Sequence, residues 1–147
     1  MSDISSIPIK LGISCTDPGA GLGVRVYLDG VVAHENANVT EPYTFEHSAP
    51  DDDGEHELAI ELFGKLPEHT QLNESGYMVK DTLLQIKSIE VDDIDVMEVF
   101  TKIGEYAHDF NGTQAPTTVK FWGDMGCNGT AKFKFKTPFY LWLLEAM

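Results

Sequence analysis

The sequence predicts an all-β protein: one antiparallel β-sandwich of jelly-roll type, with at most one short helix. Three observations predict it. Ile7–Ser14 (IPIKLGIS), Leu22–Asp29 (LGVRVYLD), Glu55–Gly64 (EHELAIELFG) and Thr130–Lys136 alternate apolar and polar residues one by one. That is the period of a strand with one buried face. Turn-forming runs separate these stretches: DPGAG at Asp17–Gly21, Asp29-Gly30, APDDDG at Ala49–Gly54 and GDMGCNG at Gly123–Gly129. Finally, Asp81–Val96 (DTLLQIKSIEVDDIDV) is rich in β-branched apolar residues, which suit a pleated, half-buried surface. The chain of 147 residues, 42% hydrophobic, has the length of one domain with a real core, and no linker or internal repeat divides it.

Asp81–Val96 is expected to be the central strand. Its alternation runs Leu84, Ile86, then Ile89, Val91, then Ile94, Val96, slipping by one residue twice. A slip of one turns the apolar face over unless the strand bulges or bends. A bulge is therefore expected near Lys87–Ser88 and a turn or bulge at Asp92–Asp93.

The other elements follow in order. Pro8 lacks a donor, so the start of the first strand should lie at an edge or ahead of the ladder. Leu22, Val24, Val26 and Leu28 face the core from the second strand. Asp29-Gly30 before Val31-Val32 reads as a two-residue hairpin turn. Tyr43–His47 is a short strand. His56, Leu58, Ile60 and Leu62 form the buried face of Glu55–Gly64, opposite a wet face of glutamates. Lys65–Gly76 reads as a polar loop. Met97, Phe100 and Ile103 have helical spacing and predict a short helix within Met97–Tyr106. Ala107–Thr118 is expected to be a loop and Val119–Trp122 a strand. Phe139–Met147 closes the chain as a last strand or a helical turn.

Ten basic against 24 acidic residues give a net charge of −14. That excludes unassisted binding to nucleic acid, which needs a basic footprint, and to an anionic membrane surface. Cys15 and Cys127 are too few for a disulfide scaffold and read as free and buried. The start MSDISSIPIK lacks a basic segment followed by an apolar one, so no signal peptide is expected, and the longest apolar run, Phe139–Leu144, falls far short of a membrane span. The sequons at Asn38, Asn73, Asn111 and Asn128 are then chance matches.

No catalytic signature emerges. Gly19–Gly23 precedes a strand, so the phosphate-cradling geometry is missing. The five histidines lie at 34, 47, 56, 69 and 108, without zinc spacing. The acidic groups Asp51–Asp53, Asp92–Asp95 and Glu105 with His108–Asp109 do not match a calcium loop. Two groups stand out as candidate surfaces. Lys132, Lys134 and Lys136 line one strand face, which reads either as a docking patch or as the lysine guard of an edge strand. With Phe139, Tyr140, Trp142 and Leu144 they make a candidate partner interface, because a run of large apolar side chains needs a cover. Tyr106, His108, Phe110 and Trp122 make a candidate aromatic platform for a ligand, with a core role as the alternative.

The stretches VRVYLDG (Val24–Gly30), HELAIEL (His56–Leu62) and LLQIKSIEVDDIDV together resemble the pattern of small jelly-roll carbohydrate-binding modules, nearest to the calcium-dependent xylan-binding kind. The resemblance covers about half of the chain. It implies glycan binding, with calcium as the cofactor to consider. The calcium loop of those modules does not match residue for residue, so no ligands are assigned. The C-terminal part resembles small proteins encoded by tailed phages of aquatic bacteria. Its carriers are YAHDFNGT (Tyr106–Thr113), the WGDMGCNG turn and PFYLWLLEAM. That resemblance implies a virion component, such as a capsid decoration or a tail or neck accessory, non-enzymatic and made in the host cytoplasm. Its partners would be other virion proteins, itself or a host surface glycan. The expected function is therefore structural within a phage particle, with a calcium-assisted carbohydrate-binding module as the alternative.

Overall fold

The computed structural model describes residues 6–109 and 114–147. Its strands are β1 (Ser6–Cys15), β2 (Gly23–Leu28), β3 (Val31–Asn36), β4 (Tyr43–Pro50), β5 (Glu55–Phe63), β6 (Thr70–Leu72), β7 (Met78–Asp81), β8 (Leu84–Val91), β9 (Ile94–Asp95), β10 (Glu105–His108), β11 (Thr117–Lys120), β12 (Asp124–Met125) and β13 (Gly129–Lys136). Two helices accompany them, α1 (Met97–Ile103) and α2 (Phe139–Ala146). One sheet has the order β12-β8-β1-β4, with β9 paired to β8, and the other the order β11-β10-β13-β5-β2-β3; β6 and β7 form a separate hairpin. The ladders are antiparallel. This is the all-β sandwich that the alternation predicts.

The core lies between the two sheets. Ile9, Leu11, Ile13, Leu84, Ile89 and Val91 face it from one sheet; Val24, Val26, Leu58, Ile60, Leu62 and Phe133 face it from the other. His56 is buried among them, as its place in the alternation demands.

Both expected irregularities of the long stretch are present. Gly12 pairs with Ser88 and Ile13 with Ile86, so Lys87 is the extra residue of a bulge. The bulge keeps Ile86 and Ile89 on one face. At the next slip Asp92 and Asp93 both take positive φ, 54° and 61°, and close the β8–β9 hairpin. Asp29 and Gly30 do the same between β2 and β3, with φ of 52° and 80°. Short polar side chains and glycine tolerate that region best. The carbonyl of Pro8 accepts the Asp92 N–H at 2.8 Å, which puts the missing Pro8 donor just past the end of β8. β8 begins at Leu84, because Asp81 belongs to β7, and it is interior to the smaller sheet; β13 and β5 hold that place in the larger one.

Four expectations need correction. The C-terminal segment is a helix, so there are two short helices: its helical spacing turns Phe139, Trp142 and Leu143 together onto the core. Glu105–His108 is a strand, held between β11 and β13. Lys65–Gly76 is not all loop: Pro67–His69 forms a 3₁₀ turn and β6 pairs with β7. β13 is not an edge strand, since β10 and β5 flank it, so its lysines do not guard an edge.

Candidate functional site

The wet face of the larger sheet is built by alternation. β13 points Ala131, Phe133 and Phe135 inward, which leaves Lys132, Lys134 and Lys136 outside. On the neighbouring strands the outward positions opposite the lysines are glutamates, except Ala59, which faces Lys132 from β5. Lys134 pairs across with Glu57, Lys136 with Glu55, and Lys132 with Glu105 of β10. Lys136 Nζ stands 3.7 Å from Glu55 Oε1, both well exposed, a geometry worth little stability by itself. Farther along the face Arg25 holds Glu35 at 2.9 Å and Glu61 at 2.7 Å, and the Tyr27 hydroxyl donates to Glu61. The lysines are thus set in a lattice of opposite charge, not in an isolated basic patch.

β10 reaches β13 no farther than Lys132. Beyond that point α2 packs beside β13, with Trp142 against Phe100, Phe135 and Phe139 at ring separations of 6.2, 6.3 and 5.5 Å. Two clefts open along this line. One, of about 450 Å³, is lined by Asp29, Glu55, His56, Glu57, Lys134, Phe135, Lys136 and Trp142. The other, of about 550 Å³, is lined by Glu57, Ile103, Glu105, Lys132, Lys134, Trp142 and Ala146. They share Glu57, Lys134 and Trp142 and run into one another as a groove beside the indole.

His56 ends the groove. Its Nδ1 lies 2.7 Å from Asp29 Oδ2 in the β2–β3 turn, and its Nε2 lies 2.8 Å from Asp52 Oδ1 in the β4–β5 turn. Burial pushes the His56 pKa down, but the hydrogen bonds and charges of Asp29 and Asp52 together outweigh it and hold the pKa above the ordinary value. The same contact holds the Asp52 carboxyl below its usual range.

The structure brings Lys132, Lys134, Lys136 and Trp142 together, and it separates the others. Phe139 is buried in the core, whereas Tyr140 and Leu144 are exposed on the outer side of α2, so Phe139 is not available to a partner. The aromatic platform does not form as expected. Tyr106 is buried, its hydroxyl donating to the Cys127 carbonyl and accepting the Cys127 N–H at 3.0 Å; burial pushes its phenol pKa up. His108 is half-buried, its ring 4.9 Å from that of Tyr106, beside a further cleft with Asp109, Thr117 and Asn128. Trp122 is 72% exposed and lies apart, with Lys120 Nζ 4.2 Å above its ring. Phe110 lies outside the described residues. Cys15 and Cys127 are free and half-buried, and burial pushes the Cys127 thiol up, which makes it a poor nucleophile.

Sequence reasoning missed Asp29, Asp52 and the glutamates as site residues. The signal was present in His56: a histidine on an apolar strand face, with aspartates in the turns at both neighbouring ends. It also missed Lys65, whose side chain is fully buried. Lys65 Nζ pairs with Asp81 Oδ1 at 2.6 Å and donates to the Thr82 carbonyl, while the Lys65 main chain exchanges hydrogen bonds with Asn128. The buried ammonium thus holds the end of β7 and the residue after it, and the pair roots the β6–β7 hairpin.

No protein-family model and no curated protein matches the chain. Two solved structures are similar. One is described as vCBM60 in complex with galactobiose, with TM-score 0.49, 12% identity, and coverage of 86% of this chain and 96% of that one. The other is a selenomethionine form of vCBM60, reported for a circular permutation that links two families of calcium-dependent carbohydrate-binding modules; it has TM-score 0.51, 13% identity, and coverage of 86% and 89%. The second match bears out the β-sandwich architecture.

Among the described residues no three His, Cys, Asp or Glu side chains come together as a metal cluster. The carboxylates of Asp29 and Asp52, in the β2–β3 and β4–β5 turns, are both engaged by His56.

Proposed function

We propose that the chain binds a carbohydrate in the groove along β13, without catalysing its breakdown. The carrying observation is the groove itself: the Trp142 indole beside three ammonium groups, Lys132, Lys134 and Lys136, and three carboxylates, Glu55, Glu57 and Glu105, with the fourth carboxylate, Asp29, held by His56. Sugar rings present apolar C–H faces, which pack on an aromatic ring, and rims of hydroxyls, which both donate and accept. Charged partners make the stronger hydrogen bonds of both kinds. Equal numbers of the two charges favour a polyhydroxyl ligand over a strongly charged one. A β-sandwich like that of a carbohydrate-binding module supports the reading.

Native affinity electrophoresis against a panel of soluble polysaccharides tests it. At least one polysaccharide should retard the protein, and Trp142→Ala should weaken that retention about tenfold, while Trp122→Phe leaves it unchanged. Retention that survives Trp142→Ala would place the site elsewhere; no retention by any glycan would remove the reading.

A structural role in a particle is the second reading, and one observation favours it. Tyr140, Leu141 and Leu144 are 57%, 49% and 68% exposed on one side of α2, an apolar stripe of the kind that subunit contacts cover. The fold comparisons lend no support to a phage origin. Sedimentation of the protein at rising concentration tests self-association through this stripe: a monomer throughout would leave the second reading without its observation.

A further inference from the structure

We infer that His56 is the internal cation of the groove: its imidazolium locks the β2–β3 and β4–β5 turns against each other, so the groove wall depends on pH and not on a divalent metal ion. A neutral imidazole has a single N–H, whereas a carboxylate oxygen only accepts. Here both ring nitrogens face carboxylate oxygens, at 2.7 and 2.8 Å. One nitrogen of a neutral ring would set its lone pair against a negative charge, in a site where the side chain is 4% exposed. The geometry is satisfied by the doubly protonated ring alone.

The two carboxylates extend the lock. Asp29 Oδ1 accepts the Glu57 N–H at 2.8 Å. Asp52 Oδ1 also accepts the Gly54 N–H at 3.1 Å and the Thr137 hydroxyl at 3.3 Å, which ties in the segment that leads to α2. The groups around His56 are therefore Asp29, Asp52 and its strand neighbours Glu55 and Glu57 on the acidic side, and Lys134 and Lys136 of β13 on the basic side. Phe135, its cross-strand partner, lies with its ring tilted by 37° at 5.7 Å, and Trp142 stands across the cleft. Loss of one ring proton leaves one of the two carboxylates facing a nitrogen lone pair, so the ring can hold only one turn and the two turns separate. A calcium ion has no opening here, because the imidazolium already occupies the space between the two aspartates and takes an oxygen of each. His56 is thus a positioning residue of the proposed glycan site, and only this consequence rests on that reading.

Nitrogen-15 NMR of histidine-labelled protein tests the lock directly. Both ring nitrogens of His56 should still give imidazolium shifts at a pH where an unpaired histidine has begun to lose its proton. Asp52→Asn, at a carboxylate that is 44% exposed and outside the core, should bring the His56 midpoint down. Trp142 fluorescence, read in a Trp122→Phe background, should change with the same midpoint in the parent and move with it in Asp52→Asn. Calcium chloride at about 100-fold above a micromolar affinity, or EDTA, should shift neither the midpoint nor the melting temperature. A single protonated nitrogen at neutral pH, a midpoint unmoved by Asp52→Asn, or stabilisation by calcium would each overturn the proposal. Imidazolium signals without any glycan retention would remove the proposed function and leave the lock; glycan retention with a neutral His56 would do the reverse.

Discussion

Ile60 shows what one buried side chain contributes. It is fully buried on β5, between Val26 of β2 and Ala131 of β13. Ile60→Ala should cost about 2–5 kcal/mol, through lost burial and the cavity left in two rigid ladders. Urea denaturation measures it; a parent-like midpoint would mean that the face is not packed as described. Lys65 is a different case. Removing one partner of a buried ion pair strands the other, so Lys65→Met should cost about 3–5 kcal/mol, and the double change Lys65→Met with Asp81→Leu should recover most of that. His56 and Asp52 contribute opposite limbs to the pH dependence of stability, while burial lowers the His34 pKa and works against the His56 limb. The folded pKa of His56 is raised, so its contribution is complete below the unfolded pKa and disappears as pH rises through the folded one. That of Asp52 is lowered, so its contribution is present above the unfolded pKa and disappears as pH falls. Stability should therefore peak in the mildly acid range between the two, and His56→Gln should flatten the alkaline limb. A melting temperature that keeps rising from pH 6 to 9 would contradict the assignment.

At the scale of elements, α2 and the short strands show where the sequence speaks and where it falls silent. Strands with one wet face write their burial into a period of two, so β1, β2, β5 and β13 are legible residue by residue, and the two slips of Asp81–Val96 foretell the Lys87 bulge and the Asp92–Asp93 turn. β10 is not legible, because its four residues contribute one buried side chain, Tyr106. The β6–β7 hairpin is not legible either. Its residues 71–80 are exposed, and its base is held by Lys65, Asp81 and Thr70, groups distant in sequence. The groove was half legible: the lysine face follows from alternation, but the glutamates opposite require the strand order. For α2 the sequence allowed a strand or a helix, and the burial of Phe139 with the half-burial of Trp142 and Leu143 decides for the helix. Deleting Trp142–Met147 should then uncover Phe100 and Phe135 within the same chain. The truncated protein should lose its near-ultraviolet circular dichroism or melt many degrees lower. A truncated chain that melts like the parent would show that the cover is not internal.

The whole molecule carries a charge of −14, yet its larger wet face is locally balanced by Lys–Glu and Arg–Glu pairs. Part of the excess lies in and beside two turns, at Asp51–Asp53 and at Asp92, Asp93 and Asp95. A domain of this length has a radius of gyration of about 15 Å. At 0.01 M salt the screening length of about 30 Å exceeds that, so all the turn carboxylates repel one another; at 0.15 M it is about 8 Å, and they act separately. Salt also weakens the attractive pairs, but Lys10–Asp93 and Lys136–Glu55 are exposed and contribute little. Repulsion is the larger effect, and the melting temperature should climb smoothly as sodium chloride is added across this range. Calcium chloride should follow the same curve when plotted against ionic strength, because screening has no regard for the identity of the ion, whereas a metal site would lift the calcium points above the sodium ones at low concentration. Differential scanning calorimetry of the two series decides the matter. A melting temperature that falls with sodium chloride would show that the charge lattice over β13 and β5, rather than the crowded turns, governs the electrostatics of the fold.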